Sequence, residues 1–429
     1  MIGGLYRGLT VAARPLIALY LRSRVKRDKE DPARLGERFG YPSCPRPSGH
    51  LVWFHGASVG EALSVLPLAE RLTRERSRLS VLITTGTVSS ARLLAERLPA
   101  GVFHQFVPVD TGAAVARFLD HWRPALALWV ESELWPNLIA ATQARGIPTV
   151  LIQGRMSAGS FRAWRRARGL IAPLLSEFAL VLAQTPVDAE RLGALGARAP
   201  KVTGTLKYAL PPPPAQAANL AALDAAIGDR PVLLATSTHP GEEAAVLEAD
   251  RGLRQSWPDL LTIIAPRHPI RGPDIAAMAR EAGLTVARRG AGGLPKAGDA
   301  LYVADTLGEL GLFYRLSDVA FIGGSLVAHG GHNPIEAMQL KTPVLFGPHM
   351  TNFAEVVADL ADAGALRQVS DGAELGDAVA ALLAAPQARR ALAEAQHALV
   401  AAKAGLLDDL LARLRPLLPS CAPSDHAST

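Results

Sequence analysis

Residues 51–61 read LVWFHGASVGE, an apolar run followed by a loop of small residues and the start of a helical segment. Similar apolar runs recur through the first half of the chain and alternate with segments of helical spacing, such as Glu61–Arg76 and Ser89–Leu98. Strands that are apolar throughout and separated by helices indicate a parallel sheet covered on both faces. The strands predicted in this half are Leu51–His55, Leu79–Thr84, Gln105–Val109, Ala125–Val130, Thr149–Gln153, Leu180–Ala183 and Lys201–Thr203.

Four consecutive prolines, Pro211–Pro214, interrupt this alternation. Because such a run joins neither a helix nor a central strand, we expect a semi-rigid linker and place a domain boundary there. Strands resume at Val232–Ala235, Leu261–Ile264, Leu301–Ala304, Val319–Ile322 and Val344–Phe346. The prediction is an α/β protein with two doubly wound parallel-sheet domains that bind ligands in a cleft at the carboxyl ends of their strands. Its segments are a basic N-terminal anchor (1–40), a first domain (41–210), a linker (211–216), a second domain (217–410) and a tail (411–429), expected to be disordered after Pro419.

The composition excludes several classes of protein. Of 429 residues, 49% are apolar, which argues against a disordered chain. Two cysteines, at 44 and 421, exclude a disulfide scaffold and a cysteine-rich metal site. An aromatic content of 5% disfavours a nucleic-acid binder built on base stacking. The net charge of +6 leaves room for an anionic partner, and the first strand is followed by no P-loop or dinucleotide fingerprint.

The N-terminal stretch MIGGLYRGLTVAARPLIALYL (1–21) has an apolar face that is interrupted by Arg7 and Arg14 on the other side. A basic run over residues 22–29 follows it. We expect an amphipathic helix that lies in the plane of an anionic membrane surface. A short transmembrane helix and a plain helix docked on the body are the alternatives.

Two motifs of the first half end in carboxylates. In HGASVGE, Glu61 lies in the first turn of a helix, which favours its ionised form and suits a general base, although a capping box with Ser58 also explains it. In WVESELWPN, a carboxylate at the strand end can point into the cleft. A helix that starts near Pro136 would turn Glu133 aside, so Glu131 is the better candidate.

Two cations suit the binding of phosphate. Lys207 in GTLKY, next to the domain boundary, can reach a phosphate leaving group as a point charge. Arg267 in APRHP, at a strand end of the second half, can bind phosphate through two parallel hydrogen bonds. A solvated lysine and an ordinary surface loop are the corresponding non-functional explanations.

The segment GGSLVAHGGHNPIE (323–336) follows a strand and contains two glycine pairs. Gly324 and Ser325, in the first part of it, are candidate ligand-binding residues, and Asn333 is placed to cap a helix that starts at Pro334. Backbone N–H groups at such a start form an anion site.

In the same segment, Glu336 can accept hydrogen bonds from ribose hydroxyls, or it can form a capping box with Asn333. A metal site at His329 and His332 is disfavoured, because no third ligand is near in the sequence.

A run of arginines at positions 162, 165, 166 and 168 lies on a predicted helix. The first three share one helix face. The run is either a solvated face or a surface that meets phosphates or a membrane.

Seven motifs in this order, HGASVGE, ESELWPN, the RMS segment at 155–157, GTLKY, APRHP, DTLGEL and GGHNPIE, resemble the bacterial 3-deoxy-D-manno-octulosonic acid (Kdo) transferases of lipopolysaccharide synthesis. The resemblance runs from about residue 5 to 400. It implies a GT-B glycosyltransferase of the cytoplasmic face of the inner membrane. Its donor would be CMP-Kdo, bound by the second domain, and its acceptor the lipid A precursor lipid IVA, bound by the first. The arginines within the N-terminal apolar stretch depart from the family pattern.

The resemblance also implies roles for individual residues. Glu61 corresponds to the general base of an inverting transfer, and Glu131 and Lys207 to groups that stabilise the transition state. The segments that would bind CMP contain Arg267, His268, Leu307, Gly308, Glu309, Asn333, Pro334, Ile335 and Glu336.

We expect no cofactor and no metal, because fixed cations can hold the leaving phosphate. The expected partners are CMP-Kdo, the lipid A precursor and an anionic membrane surface, without nucleic acid. The alternatives are a UDP-sugar transferase or sugar-nucleotide epimerase of the same architecture, and a non-catalytic nucleotide-binding protein at the membrane. The number of Kdo units transferred and the oligomeric state are open at this point.

Overall fold

The computed structural model describes residues 2–76 and 78–419, without the side chains of Ile2 and Val59. It divides into two compact units. The first contains the chain up to Leu210 and again from Gly405, and the second contains Pro211–Ala404. The division after Leu210 falls at the start of the four prolines. The tail expected after Pro419 lies outside the described residues.

The first unit is built on a seven-stranded sheet in which every strand pair is parallel. The strand order is β3-β2-β1-β4-β5-β6-β7, the doubly wound arrangement that the sequence predicts. The strands are β1 (His50–His55), β2 (Leu79–Thr85), β3 (Val102–Phe106), β4 (Leu126–Val130), β5 (Thr149–Gly154), β6 (Leu180–Ala183) and β7 (Lys201–Val202).

Strand β3 lies three residues before its predicted position of Gln105–Val109. Pro108 has no N–H group with which to continue a ladder, so the strand ends at Phe106. A single further bond, from the Val107 N–H to the carbonyl of Thr85 (3.0 Å), follows it.

Helices cover both faces of this sheet, which explains why its strands are apolar throughout. Trp53 packs in the core on one face with Trp122 and Trp129, whereas its neighbours Val52 and Phe54 belong to the core on the other face. The helices of this unit are α1 (Ile2–Ala12), α2 (Arg14–Val25), α3 (Leu35–Arg38), α4 (Val59–Glu75), α5 (Val88–Ala95), α6 (Gly112–Trp122), α7 (Pro136–Gln143), α8 (Ala158–Arg166), α9 (Arg168–Ser176) and α10 (Pro186–Leu195).

The N-terminal helix α1 is docked on the body by polar contacts. The Tyr6 hydroxyl donates to Asp110 Oδ2 (2.9 Å), and Asn137 Nδ2 donates to Thr10 Oγ1 (3.0 Å). Across the described residues, we find no helix with the length and apolarity needed to span a bilayer. The apolar side chains that remain more than half exposed on α1 and α2 are Leu5, Leu9, Val11, Leu16, Leu19 and Tyr20.

The second unit contains a six-stranded parallel sheet with the order β10-β11-β9-β8-β12-β13. The prediction missed β10, a short edge strand that includes Arg288 and therefore lacks an apolar run. The strands are β8 (Val232–Thr238), β9 (Leu261–Pro266), β10 (Val286–Arg288), β11 (Leu301–Val303), β12 (Val319–Ile322) and β13 (Val344–Phe346). The helices are α11 (Ala217–Ile227), α12 (Glu242–Leu253), α13 (Gly272–Glu281), α14 (Leu310–Arg315), α15 (Ile335–Gln339), α16 (Ala354–Asp362), α17 (Gly372–Ala384) and α18 (Pro386–Ala402).

The C-terminal helix α19 (Leu406–Leu414) belongs to the first unit, not to the second domain (217–410) and tail (411–429) of the sequence prediction. Its side chains Leu410, Leu411 and Leu414 are buried in the core that contains Val52 and Phe54. The predicted boundary was wrong here because an Ala/Leu-rich helix carries no local sign of which core it joins.

Candidate active site

Glu61 lies at the carboxyl end of β1, in the first turn of α4. Its Oε2 accepts the Ala57 N–H (2.7 Å), and its Oε1 accepts the Ser58 hydroxyl (2.7 Å). The capping contact with Ser58 is therefore present. It leaves the carboxylate able to accept further hydrogen bonds, because a carboxylate offers about four lone-pair positions. Gly56 permits this geometry, since a Cβ there would lie only 3.0 Å from the Cβ of Glu61.

Glu131 lies at the end of β4, which is the neighbour of β1 in the sheet. Its backbone is in the left-handed region (φ 59°), a strained conformation for a residue with a side chain. Burial raises the pKa of its carboxyl, and the nearby Glu61 raises it further, whereas Lys207 and Arg155 lower it. The structure therefore brings together the three residues that the sequence selected for catalysis.

Glu133 remains near this group although a helix does begin at Pro136. Its Oε2 accepts the Trp135 indole N–H (2.8 Å) and lies 4.0 Å from His55 Nε2. Burial raises the pKa of Glu133, with a further contribution from Glu61. His55 is fully buried, and burial lowers its pKa to about 3, so its ring is neutral at pH 7.

The Lys207 segment is held by Gln153, which the sequence reasoning missed. Gln153, at the end of β5, has a left-handed backbone (φ 54°). Its Oε1 accepts the Leu206 N–H (2.7 Å), and its Nε2 donates to the Gly204 carbonyl (3.1 Å). These two bonds fix the short turn that carries Lys207.

Arg155, the second cation that acts on Glu131, starts the RMS segment. The residue after it is held on both sides: the Met156 N–H donates to Asp188 Oδ1 (2.7 Å), and Arg191 Nη1 donates to the Met156 carbonyl (2.7 Å). This anchoring explains why a loop can keep Arg155 in place.

The arginine run lies on α8 and at the start of α9, as predicted, with exposed side chains at 162, 165, 166 and 168. Phe161 and Trp164 of the same helix are partly buried and pack against the core, and the Arg165 guanidinium lies over the Phe161 ring.

In the second unit, the sheet changes winding direction between β8 and β12, where doubly wound sheets bind their ligands. The backbone N–H groups of Gly324 and Ser325 in this region do not point to an open anion site. They donate to the fully buried carboxylate of Glu242 (2.7 and 2.9 Å), which also accepts the N–H groups of Leu326 and His239 (2.9 Å each). A carboxylate of the chain itself therefore accepts the N–H groups of Gly324 and Ser325, and a part for these two residues in ligand binding stays a prediction.

Helix α15 starts at Ile335, one residue later than predicted, and has only five residues. Pro334 precedes it instead of opening it. Asn333 Oδ1 accepts the Ile335 N–H (3.1 Å), and Asn333 Nδ2 donates to Glu336 Oε1 (3.2 Å). The predicted contact between Asn333 and Glu336 at the helix start is therefore present, although the helix begins one residue later than predicted.

Leu307, Gly308 and Glu309 lie in the loop after β11. Leu307 is 77% exposed, and Gly308 has a left-handed backbone (φ 78°). The Glu309 carboxylate receives two bonds from Arg289 (2.7 and 3.0 Å), which lower its pKa, together with the Thr306 hydroxyl. Glu309 thus shapes this loop through an ion pair that the sequence did not reveal.

Arg267 and His268 follow β9 and lie beside histidines from two other loops. His239 follows β8, and His329 and His332 lie in the loop after β12. The rings of His239 and His268 are 6.1 Å apart at 90°, and His239 Nε2 lies 2.8 Å from His332 Nε2. Within residues 2–76 and 78–419, no three His, Cys, Asp or Glu side chains are arranged to hold a metal ion.

Comparisons with known proteins agree with the motifs. Residues 33–210 match the family model described as 3-deoxy-D-manno-octulosonic-acid transferase (kdotransferase), and residues 300–398 match the glycosyl transferases group 1 model. The enzyme of that name from Haemophilus influenzae is 34% identical over 420 residues, covering 96% of this chain and 98% of that protein. The Bordetella pertussis enzyme is 39% identical, covering 91% and 94%. This chain belongs to the 3-deoxy-D-manno-octulosonic acid transferase family.

Membership of the Kdo transferase family makes the protein a glycosyltransferase and confirms the resemblance drawn from the motifs. A glycosyltransferase from Rickettsia africae has a similar fold (TM-score 0.61, 12% identity, 87% of this chain and 99% of that one). UDP-GlcNAc 2-epimerase from Neisseria meningitidis does too (TM-score 0.60, 15% identity, 85% and 100%). At these identities the likeness shows the fold alone, two Rossmann-like domains of the GT-B kind.

The positioning residues in this Kdo transferase had weak sequence signals. Gln153 is the last residue of a predicted strand, and Arg155 follows it at the start of the RMS segment. The only feature of the sequence that could have indicated their role is a polar residue at the end of an apolar strand. The same sign marks His239, which follows β8 in the sequence STHPGEE. Arg289 had no such sign, because the strand before it was not predicted.

Proposed function

We propose that this Kdo transferase moves Kdo from CMP-Kdo to the lipid A precursor lipid IVA with inversion at the anomeric carbon. One observation carries the proposal: the Glu131 carboxyl, at the end of β4, interacts electrostatically with both Glu61 and Lys207, which come from two other segments of the chain. Transfer to a hydroxyl is helped by a base that takes the hydroxyl proton and by fixed charges that stabilise the leaving group, and Glu61 and Lys207 suit these two roles.

In the proposed mechanism, Glu61 takes the proton of the acceptor hydroxyl as the hydroxyl oxygen attacks the anomeric carbon of Kdo. The bond from that carbon to the phosphate oxygen of CMP breaks, and its electron pair leaves with CMP. Two fixed hydrogen bonds, from Ala57 and Ser58, orient the Glu61 carboxylate before the reaction. A positioned base of this kind contributes roughly 10²–10⁴-fold to the rate.

The cations of the mechanism act on the negative charge that develops on the leaving phosphate. Lys207 and Arg155 already offset the negative charge around Glu131. Arg267 and His268 lie at the strand ends of the second unit, where we place the donor. We assign the donor to these residues and to the loop after β11, in which Arg289 pairs with Glu309.

The acceptor is a lipid, and we place the protein at the cytoplasmic face of the inner membrane, with α1 and α2 on its surface. The support is the exposed apolar side chains of these helices, which are followed by the basic run at 22–29. An apolar face beside basic residues suits an anionic bilayer surface. Helix α1 packs against α9, which begins at the end of the arginine run, and this arginine surface suits the phosphates of the acceptor.

A transfer assay with the purified full-length protein, CMP-Kdo generated in place and lipid IVA tests the function. We expect a product of increased mass, and mass spectrometry of this product counts the Kdo units. Inhibition by CMP but not by UDP supports the donor assignment. Turnover of UDP-sugars in place of CMP-Kdo would contradict it and favour the epimerase or UDP-sugar alternative.

Flotation with anionic vesicles tests the membrane placement separately. Leu9→Ser combined with Leu16→Ser should reduce vesicle binding at least about threefold, because two exposed apolar side chains are lost. Val187→Ser is the matched control, since Val187 is also exposed but lies on α10. Equal loss of binding in the control and the double variant would contradict the placement.

A further inference from the structure

Four imidazoles from three loops meet at the carboxyl ends of β8, β9 and β12. We call His239, His268, His329 and His332 the histidine cluster. Strands β8 and β12 are neighbours at the point where the winding of the sheet reverses, so these loops flank the crevice in which such sheets bind ligands. The backbone at Ser237, which leads into the cluster, is in the left-handed region (φ 56°). Strain of this kind is concentrated at functional sites.

The ring of His329 stacks on the ring of His239, whereas the ring of His332 meets it edge to edge in nearly the same plane. The ring of His329 lies 4.1 Å from the ring of His239 at an interplanar angle of 20°, and the ring of His332 lies 5.1 Å from it at 3°. The Nε2 atoms of His239 and His332 are only 2.8 Å apart. A hydrogen bond of this length requires that one nitrogen carries a proton and the other accepts it. Two protonated rings could not keep this contact, because both nitrogens would then be donors.

The surroundings favour the uncharged state of this pair. Burial lowers the pKa of His332 to about 4, and Arg267 and the neighbouring imidazoles add to the effect. Burial and the His329 ring likewise lower the pKa of His239, with smaller contributions from His268 and Arg267.

Glu242 is the carboxylate that opposes this effect at His239. Its oxygens already accept the backbone N–H groups of His239, Gly324, Ser325 and Leu326. Its negative charge is therefore shared among four donors. The Arg267 guanidinium is the cation that acts on both His239 and His332, and together with the imidazole N–H groups it can donate to a further anion.

We propose that the histidine cluster binds an anionic group of the donor, a phosphate or a carboxylate, and that the His239–His332 pair takes up one proton from solvent when the anion binds. The added proton breaks the contact between the two Nε2 atoms, and both N–H groups can then donate to the anion. Charge-assisted bonds of this type are about twice as strong as neutral ones. This inference rests on the proposed function for the identity of the donor.

Because the anion and the proton bind together in this proposal, the affinity for the anion depends on pH. An anion beside the rings raises their pKa from the lowered values of the free protein, so the complex holds more protons than the free protein. Affinity then increases as the pH falls, by up to about tenfold per pH unit for one proton. Without the coupling, binding of an anion that does not itself titrate is independent of pH in this range.

Isothermal titration calorimetry of the full-length protein with CMP, at pH 7.0 in buffers of different ionisation enthalpy, measures the proton uptake directly. CMP carries the phosphate and free Kdo carries the carboxylate, so a parallel titration with Kdo distinguishes the two sources. We expect an uptake that approaches one proton for one of these ligands, after correction for the titration of the ligand itself. Binding of both without uptake would overturn the inference and leave the proposed function intact. If CMP did not bind, the donor assignment would fail and the inference with it.

Two variants locate the uptake. His332→Gln keeps a hydrogen-bonding side chain but cannot be charged, so we expect the uptake to disappear and the affinity at pH 6 to fall about tenfold. His50→Gln is the matched control, because His50 is an exposed histidine at the start of β1. Uptake that persists in a folded His332→Gln protein would place the proton elsewhere and contradict the proposal. The wild-type measurement stands without either variant.

Discussion

Glu61 and Glu242 occupy equivalent places in the two units, since each lies in the first turn of the helix after the first strand of its sheet. Glu242 is fully buried and accepts four backbone N–H groups. Glu61 is half-buried and accepts one N–H group and one hydroxyl. The same position in the fold thus holds a structural carboxylate in one unit and a carboxylate available for chemistry in the other.

The loops at the strand ends around these two residues also differ, in the charge of their side chains. In the first unit, Glu61 is joined by Glu131 and Glu133, balanced by Lys207 and Arg155. In the second unit, the corresponding loops carry imidazoles and an arginine. A doubly wound sheet positions whatever its loops contain. The proposed division of roles, with proton removal in the first unit and the binding of anions in the second, therefore rests on the charge of these loops and not on the fold.

Among the variants that test this difference between the two units, we expect the largest effect, a loss of kcat, for Lys207→Ala. Loss of a fixed cation that stabilises developing charge should reduce kcat about 10²–10³-fold. Lys201→Ala, which removes an exposed lysine from the edge strand of the same sheet, should leave kcat unchanged. Initial rates at saturating donor and acceptor measure both. A kcat for Lys207→Ala within threefold of the wild type would remove Lys207 from the mechanism.

Glu242→Gln tests the other side of the comparison. A glutamine amide has one oxygen and an NH₂ group, so it leaves buried N–H donors unsatisfied and should lower the free energy of unfolding by about 2–4 kcal/mol. Urea denaturation of the full-length protein measures this change. Glu281→Gln, at an exposed carboxylate of α13, is the control. A free energy of unfolding equal to that of the wild type would mean that the hydrogen bonds of Glu242 to the loop after β12 do not stabilise the protein.

Gln153→Ala tests whether the turn that carries Lys207 must be held. The variant loses the bonds to Leu206 and Gly204, and we expect kcat to fall about tenfold while the Kd for CMP stays the same. The constancy of the CMP affinity is the internal control, because CMP is assigned to the second unit. A change in Kd alone would contradict the positioning role.

The smallest predicted effect concerns stability against pH. His55 has a pKa of about 3 in the folded protein against about 6.5 in an unfolded chain, so between these values the unfolded state binds more protons. Stability therefore falls as the pH drops below 6.5, by about 1 kcal/mol between pH 6.5 and 5.5 from this group. Denaturation midpoints of the wild type and His55→Gln at the two pH values measure it. An equal pH dependence in both proteins would contradict the assignment.

The sequence predicts the framework of this protein well because buried parallel strands are apolar on both faces. The failures have physical causes. Strand β10 is short and charged, and Pro108 moves β3 toward the N-terminus. Helix α19 joins the first core through leucines that would suit either unit.

Some residues of the candidate site could be predicted from the sequence, whereas the contacts between distant residues could not. Glu61 and Glu131 could be selected from the sequence because they follow predicted strands, and Lys207 because it lies next to the domain boundary, while the resemblance to the family implied the roles of Glu131 and Lys207. The filling of the Gly324–Ser325 loop by Glu242 could not be predicted, since those residues are more than 80 positions apart in sequence. The pairing of Arg289 with Glu309 was hidden for a similar reason: it depends on the position of the unpredicted strand β10.

Glu61→Gln gives the most direct test of the account, because it separates transfer from donor binding in one protein. The measurement is the single-turnover rate of Kdo transfer to lipid IVA at saturating CMP-Kdo, together with the Kd for CMP, with Glu96→Gln as the exposed control. We predict a rate at least about 100-fold below that of the wild type and a Kd within twofold of it. A transfer rate close to that of the wild type, in a folded Glu61→Gln protein, would contradict the assignment of Glu61 as the general base.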